Sequence, residues 1–390
     1  MRRMRNTGPW LEQAFDRLFG DAEATQFGSG WISGTASVFL GGLALLGVVT
    51  FWFPGLLTTA QFRAHYSLPL LRALLRVIIG LAFLLGALSL GLRRRKVLGI
   101  TGLGLSLLAT LAGGSTVPLE STFEHPFTIG LDWFLLNVLL LALIFVPLER
   151  AFPRRHEQTT FRSGWTTDGV YLTVSHLAVQ ALTFMTLLPA TTLAHFWQPL
   201  VLQRAIRDQP LLLQVLEIVL VADLTQYWIH RAFHRVPLLW RFHAIHHSSR
   251  AMDWLAGSRL HVVDAITTRG LVMVSVFLLG FAPTALYLYL VFVSFHAVFI
   301  HANLRFSFGR LDFVITTPRV HHWHHAVAPT DKNFAVHLPV LDHLFGTQYL
   351  PDDTWPEAYG IGGHPIPESW GWQLVFPFMP HPKTVARSSR

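Results

Sequence analysis

The stretch DLTQYWIHRAFHRVPLLWRFHAIHHS, residues 223–248, decides the fold because it combines the end of an apolar run with closely spaced histidines. Two groups of histidines stand in it: His230 and His234, then His243, His246 and His247. Residues at i, i+3 and i+4 share one face of an α-helix. We therefore expect each group to present its imidazoles in one direction, on two helices that follow each other closely.

A third group, HHWHH at residues 321–325, repeats the pattern further along the chain. His321, His324 and His325 share a helical face, whereas His322 lies off it and is expected beside the ligands or at the surface. A lone buried histidine is usually a packed core residue, but three groups of this spacing are not explained that way. Eight imidazoles exceed the roughly four ligands that one zinc needs. The sequence therefore predicts a site for two metal ions.

The composition indicates a membrane protein. Only 13% of the 390 residues are charged and 52% are hydrophobic, whereas soluble domains average about a quarter charged. The absence of cysteine excludes disulfides, thiolate metal sites and cysteine nucleophiles. The net charge of +8 comes from short basic runs beside apolar spans, which is typical of membrane loops and gives no indication of nucleic-acid binding.

Apolar runs of spanning length predict an all-α integral membrane protein, a multi-span helical bundle of about eight spans. We place these spans near 36–57, 70–92, 97–115, 131–148, 168–190, 211–229, 262–280 and 283–301. Apolar residues at helical spacing between Trp10 and Phe19 predict a helix on the membrane surface or a loosely packed N-terminal helix. With eight spans, the main basic runs fall on one side, which we assign as cytoplasmic together with both termini. The histidines then lie in a cytoplasmic helical cap that holds a dimetal site.

The identity of the metal stays open at this point. An all-imidazole site suits iron, zinc, copper or nickel. Zinc would indicate a metal-dependent hydrolase at the membrane surface, although the HExxH motif with its general base does not occur. A metal transporter or sensor would place its ligands near the middle of the bilayer rather than at span ends. A redox metal at the mouth of a bundle suits an apolar substrate that arrives from lipid, and we favour iron.

One span carries a polar stripe that leads to the first histidine group. Asp223, Tyr227, His230 and His234 step by four, three and four residues, so they share a face. A carboxylate inside a span is costly unless it is paired. We expect Asp223 either to accept a hydrogen bond from a ligand imidazole or to make a polar contact between helices.

These motifs closely resemble those of the fatty acid hydroxylase and sterol desaturase superfamily. The first two histidine groups are separated by only the eight residues from Arg235 to Phe242. The signature extends over about 130–350 and includes Met252-Asp253, His301-Ala-Asn303, Thr317-Pro318-Arg319, Asp331-Lys332-Asn333-Phe334 and Leu344-Phe345-Gly346-Thr347. The resemblance implies a catalytic domain at 126–350. The first three spans lie outside it, and we interpret them as an accessory region at 36–125 after an N-terminal segment at 1–35. The polar, proline-rich residues 351–390 are expected to form a C-terminal cytoplasmic tail.

The resemblance also implies a non-haem site with two iron ions, which zinc can replace, and O2 as co-substrate. The eight histidines of the three groups carry over as ligands, and His301 is added as a ninth. His261 and His296 are further possible ligands or neighbours of ligands, although His296 lies about 140° round the helix from His301. Asp223, Tyr227, Asp253 and Asn303 are expected around the ligands. The sequence HVVD at 261–264 departs from the Pro and Glu that commonly follow this histidine, which leaves a role for Asp264 in doubt. We expect His337, His343 and His364 to be ordinary polar residues.

The resemblance implies an O2-dependent hydroxylase or desaturase whose substrate is a fatty acyl chain, a sterol, a carotenoid or an ether lipid. No flavin or cytochrome motif appears in the chain, so we expect an external electron donor of the ferredoxin or cytochrome type. Beyond the metal ligands, the motifs identify no catalytic residue. The expected location is a bacterial inner membrane.

Overall fold

The computed structural model describes residues 28–59, 63–64, 66–119, 128–196, 200–306, 308–352, 354–362 and 366–379. The predicted helix between Trp10 and Phe19, His364 and the last eleven residues lie outside this part. The regular secondary structure of the described residues is helical, apart from two isolated β-bridges. The helices are α1 Trp31–Trp52, α2 Pro54–Leu57, α3 Leu68–Leu92, α4 Val97–Leu111, α5 Leu131–Ala151, α6 Trp165–Leu177, α7 Val179–Phe196, α8 Leu200–Arg207, α9 Leu211–Arg235, α10 Pro237–His243, α11 Val262–Leu279, α12 Pro283–His301, α13 Pro318–His324, α14 Val340–Leu344 and α15 Trp370–Val375.

The sequence sets several of these helix boundaries directly. Prolines 237, 283 and 318 are the first residues of α10, α12 and α13, where the missing N–H has no helical partner to lose. Helix α11 ends at Gly280, whose φ of 70° lies in the left-handed region that favours glycine. The first predicted span, 36–57, is shifted to Trp31–Trp52 because the chain breaks at Phe53 before Pro54.

Seven helices of the described residues are long and apolar enough to cross a membrane: α1, α3, α4 (with the short turn that follows it), α5, α9, α11 and α12. The predicted fifth span, 168–190, is instead two helices, α6 and α7, interrupted at Ala178. Neither helix is among the seven membrane-spanning candidates. Asp168 at the start of α6 pairs with Arg259 near the histidines, whereas Gln203 of α8 donates to the Leu278 carbonyl at the far end of α11. The assignment of sides to the membrane stays a prediction.

The chain divides into two compact units, with the boundary between Asn137 and Val138. In the first unit α1, α3 and α4 pack around Ala44, Val48, Leu75 and Ala109. Small residues let these helices approach closely, and the Ser37 hydroxyl donates to the Ala82 carbonyl at 2.6 Å. The boundaries predicted near 35, 125 and 350 remain predictions.

In the second unit α9 packs against α11 and α12. Their shared core includes Ile218, Ala222, Val272, Ala285 and Tyr289. Helix α11 leads away from the histidines and α12 returns to them, so α9 and α12 both end where the predicted ligands gather. This arrangement positions His234 and His301 at adjacent helix ends.

Candidate metal centre

The first histidine group stands on the last turns of α9. All four members of the predicted stripe, Asp223, Tyr227, His230 and His234, are buried. The helical spacing therefore places both imidazoles on the inner face of a membrane helix. The next helix, α10, starts after a turn at Val236 and carries the chain directly back to them.

The second group is not helical throughout, which corrects the expectation of one shared helical face. His243 is the last residue of α10, and His246 and His247 lie in the short 3-10 turn His246–Ser248. All three are buried. The turn separates the directions of these side chains, so that His243 and His247 join one cluster and His246 joins another.

The third group lies on α13 and on the residue that follows it. Thr317 precedes the helix, which runs to His324, and His325 caps its end. His301, the last residue of α12, meets this group, with its Nε2 atom 3.0 Å from that of His321. Helices α12 and α13, from two parts of the chain, therefore meet at this site.

The nine predicted ligands form two buried clusters. In each cluster, one ring nitrogen from every histidine lies within 4.8 Å of the others. We call them the five-histidine cluster (His230, His234, His243, His247 and His324) and the four-histidine cluster (His246, His301, His321 and His325). The two are adjacent, because the rings of His247 and His325 stack with centroids 4.4 Å apart.

Hydrogen bonds fix the tautomer of several rings. A carbonyl oxygen can only accept, so the ring nitrogen that faces it must carry the hydrogen. The Nδ1 atoms of four histidines face carbonyls at 2.7–3.0 Å, in the pairs His230–Phe334, His246–Arg259, His301–Ala297 and His324–Lys332. In a neutral ring of this kind, the Nε2 atom is left with a lone pair directed into the cluster.

Two Nε2 atoms lie so close that, in neutral rings without a hydrogen between them, their lone pairs would repel. His230 and His243 face each other at 3.0 Å, although the Nδ1 atoms of both are committed to donating, one to a carbonyl and the other to a carboxylate. Neither Nε2 atom then has a hydrogen to share. The buried Nε2 atom of His324 has no hydrogen-bond partner in the described part of the chain. Converging lone pairs of this kind fit a cation, and the donor set is the imidazole nitrogen that iron, zinc and copper accept.

Several cluster histidines lie outside the membrane-spanning helices, and burial keeps their imidazoles in the neutral form that binds metals. It lowers the pKa of His246 to about 4, and the neighbouring His243 adds to the effect. Burial and adjacent imidazoles also hold the pKa values of His247, His321, His324 and His325 well below the usual value for histidine. At neutral pH these nitrogens need not lose a proton before they bind a metal.

Asp264, which the sequence left in doubt, contacts a predicted ligand directly. Its Oδ2 atom accepts from His243 Nδ1 at 2.7 Å, and its Oδ1 atom accepts from the Thr268 hydroxyl at 3.1 Å. A carboxylate behind a ligand histidine orients the ring and raises its basicity. The signal available in the sequence was an acidic residue in the first turn of a span, four residues before a threonine.

Asp223 has a different role from the one expected. Its carboxylate accepts from the backbone N–H groups of Val336, His337 and Leu338 at 2.9, 3.0 and 2.6 Å, rather than from an imidazole. It therefore holds the segment that includes Phe334, whose carbonyl orients His230. The alternative of a contact between two helices is also corrected, because the partner residues 336–338 lie in a non-helical segment.

The other residues expected around the ligands also position loops. The Tyr227 hydroxyl bonds to Thr347 at 2.8 Å, and the Asn303 side chain bonds to both backbone groups of Arg155. Asp253 forms a buried ion pair with Arg162. The spacing of the motifs alone does not distinguish such residues from those that touch the ligands.

The other histidines that the sequence singled out, where the structure describes them, lie outside both clusters. His261 caps α11, where its Nδ1 atom accepts from the Val263 N–H, and His296 contacts His337 and the Thr316 carbonyl. His337 is buried and belongs to neither cluster. His322 is also buried, which excludes the surface position, and it contacts the Tyr359 hydroxyl at 2.9 Å and the His301 carbonyl at 3.3 Å. His343 is exposed, as expected.

A phenylalanine-lined groove of about 530 Å³ lies between α5 and α12. Phe292 and Phe299 of α12 line it, and both lie about half a turn round that helix from His301. The groove therefore faces away from the four-histidine cluster, although it is close to it along the chain.

Gly257 packs directly against a predicted ligand. A Cβ atom at this position would lie 2.8 Å from His301 Nδ1 and 3.2 Å from the Ala297 carbonyl that this nitrogen contacts. We expect Gly257→Ala to displace the imidazole of His301 and to reduce metal retention by the four-histidine cluster, measured as metal per chain after dialysis. Gly169→Ala, where a Cβ meets nothing within 4 Å, should retain metal normally. Equal retention by the two variants would contradict the predicted displacement.

Comparison with known proteins supports the motif-based expectation. The sequence profile of the fatty acid hydroxylase family matches residues 215–347. An ornithine lipid hydroxylase of Rhizobium tropici is 32% identical over 47% of this chain and 54% of its own length. An alkylglycerol monooxygenase of Danio rerio is 30% identical over 41% of this chain and 35% of its own. A very-long-chain aldehyde decarbonylase of Arabidopsis thaliana is 27% identical over 33% of this chain and 22% of its own.

The family profile covers the part of the chain that holds the clusters. The chain spans about half the length of the first of these relatives and less of the other two. No solved structure matches it significantly. All nine histidines of the two clusters, including His301, lie within the residues matched by the family profile. Residues 215–347 therefore match the fatty acid hydroxylase family, which is the resemblance that the histidine motifs indicated.

Proposed function

We propose that this protein is a membrane-bound oxygenase that holds two iron ions, one in each histidine cluster, and uses O2 to oxidise a C–H bond in the alkyl part of a lipid. The observation that carries the proposal is the pair of adjacent buried clusters whose Nε2 lone pairs converge. Two clusters of five and four imidazoles suit two metals better than one.

The residues of the chain hold the nitrogens in place before a metal arrives. Backbone carbonyls of Phe334 and Lys332 orient His230 and His324, and the Asp264 carboxylate orients His243. Such partners set which nitrogen points at the metal and fix the ring plane. Burial of all nine rings limits access of water to the site.

The position of the clusters suits a substrate that stays in the bilayer. His234 is one residue from the end of α9, and His301 ends α12. Both helices are of membrane-spanning length and apolarity. The clusters therefore lie at the end of a membrane bundle, which suits a substrate whose alkyl chain is held in lipid.

When bound, iron would supply the redox chemistry that activates O2 and attacks an unactivated C–H bond. In hydroxylation, one C–H bond, O2, two electrons and two protons are converted to an alcohol and water. We infer that the electrons come from an external ferredoxin- or cytochrome-type donor. The relatives are named for ornithine lipids, alkylglycerols and very-long-chain aldehydes, which share a long alkyl chain. We propose such a lipid as substrate, at the cytoplasmic face of a bacterial inner membrane.

The proposal is tested by metal analysis together with lipid mass spectrometry. We expect about two irons per purified chain and, in cells that express it, a lipid whose mass is shifted by one added oxygen or by the loss of two hydrogens. His246→Ala should abolish the new lipid. His343→Ala, which removes an exposed histidine outside both clusters, should leave it unchanged. A zinc-only protein without any lipid change would favour the hydrolase instead, and a lipid change that persists in His246→Ala would contradict the mechanism.

A further inference from the structure

The segment 366–379, near the C-terminus, has the composition of a membrane-interface element. Its only charged residue is Glu368, and residues 369–379 contain two tryptophans and two phenylalanines. It forms α15 followed by the 3-10 turn Phe376–Phe378. From the sequence, we expected residues 351–390 to form a cytoplasmic tail.

The segment lies across the ends of two helices of the bundle. The Glu368 carbonyl accepts from Thr167 in the first turn of α6. The Leu374 carbonyl lies 3.2 Å from Nε2 of His261, the residue that caps the start of α11. Because α11 is a membrane-spanning candidate, its first turn marks the level at which the chain enters the apolar layer. The segment therefore lies at the edge of this layer.

Its two faces differ in exposure. Gln373 and Pro377 face inward and are buried. Trp372, Val375 and Phe378 face outward, and 58%, 49% and 66% of their surfaces are exposed. This spacing of three residues puts three large apolar side chains on one side of the segment.

The exposed face continues into the apolar surface of the neighbouring helices. The ring of Phe378 packs on Phe242 of α10 with centroids 5.4 Å apart. Leu238, four residues before Phe242 on the same face of α10, is 61% exposed. Val262, the first residue of α11, is 42% exposed. The outward side chains thus extend a surface that belongs to the membrane part of the protein.

We propose that segment 366–379 is an in-plane membrane anchor, which inserts Trp372, Val375 and Phe378 between lipid headgroups. Tryptophan and other aromatic side chains favour this zone, and short amphipathic elements bind there through their buried apolar area. The segment carries no basic cluster that would indicate a charge-driven association. The segment contacts Phe242, which precedes His243, and His261, which lies three residues before Asp264. An anchor at this position would hold the edge of the bilayer beside the five-histidine cluster. The proposal depends neither on the metal nor on the substrate.

The absence of cysteine makes a direct test possible, because a single introduced cysteine is the only labelling site. Nitroxide labels would be placed at Trp372→Cys and Phe378→Cys. Leu143→Cys, on the exposed face of α5, is the lipid reference, and the exposed Glu357→Cys is the water reference. The full-length chain is reconstituted in vesicles of phosphatidylcholine and phosphatidylglycerol. Power-saturation electron paramagnetic resonance then compares collisions with O2, which concentrates in lipid, and with a water-soluble nickel chelate.

We expect the ratio of O2 to nickel collisions at positions 372 and 378 to shift from the value at Glu357 toward the value at Leu143. A ratio equal to that at Glu357 would overturn the proposal, because the face would then contact water. Exclusion of both reagents, with spin–spin broadening between labels, would also overturn it, since a second copy of the chain would then cover the face. Circular dichroism and a single elution peak confirm that each labelled variant is folded.

Discussion

Asp264→Ala is expected to weaken metal binding by the five-histidine cluster about 10- to 100-fold. The substitution removes the carboxylate that accepts from His243 Nδ1 at 2.7 Å. The ring then loses the partner that fixes its tautomer, and its Nε2 atom is no longer held toward His230. Titration of the metal-free protein with Fe(II), in competition with a chelator, measures the change.

Thr268→Val is the matched control for this prediction. It removes the hydroxyl that donates to the other Asp264 oxygen at 3.1 Å, while the bond to His243 remains. We expect a much smaller loss of affinity than in Asp264→Ala. Asp264→Asn, which can keep one acceptor oxygen toward the ring, should fall between them. Wild-type affinity in Asp264→Ala would show that His243 is oriented by the rest of its surroundings.

Sequence patterns predicted the parts of this protein that depend on spacing along one helix. Hydropathy placed seven of the eight predicted spans close to their observed bounds. Helical periodicity placed His230 and His234 on a buried face. Both features are local, because each depends only on residues within a few turns of one another.

The parts that could not be predicted depend on how distant segments meet. The carbonyls of Phe334, Lys332 and Arg259 orient three ligand rings, but any residue has a backbone carbonyl, so none of them leaves a signature in sequence. Asp264 reaches His243 only because α11 starts beside the end of α10. The break at Ala178 was missed because the apolar run continues through it.

Asp223→Ala is expected to lower the free energy of unfolding by at least about 3 kcal/mol, at roughly 1 kcal/mol or more for each buried donor left without a partner. The carboxylate is fully buried and accepts three backbone N–H groups of residues 336–338. Alanine offers no acceptor, so the three N–H groups lose their hydrogen-bond partner. Unfolding by increasing SDS in mixed micelles measures the loss.

Asp352→Ala, which removes an exposed carboxylate, is the control and should change stability little. The Asp223 effect is expected in metal-free protein as well, because the residue belongs to neither histidine cluster and acts on the backbone of an adjacent segment. Loss of these three hydrogen bonds should also free the Phe334 carbonyl to move, so that His230 is no longer held in its orientation. A variant of normal stability that failed only to bind metal would instead assign Asp223 to the imidazoles, as the spacing along α9 first indicated.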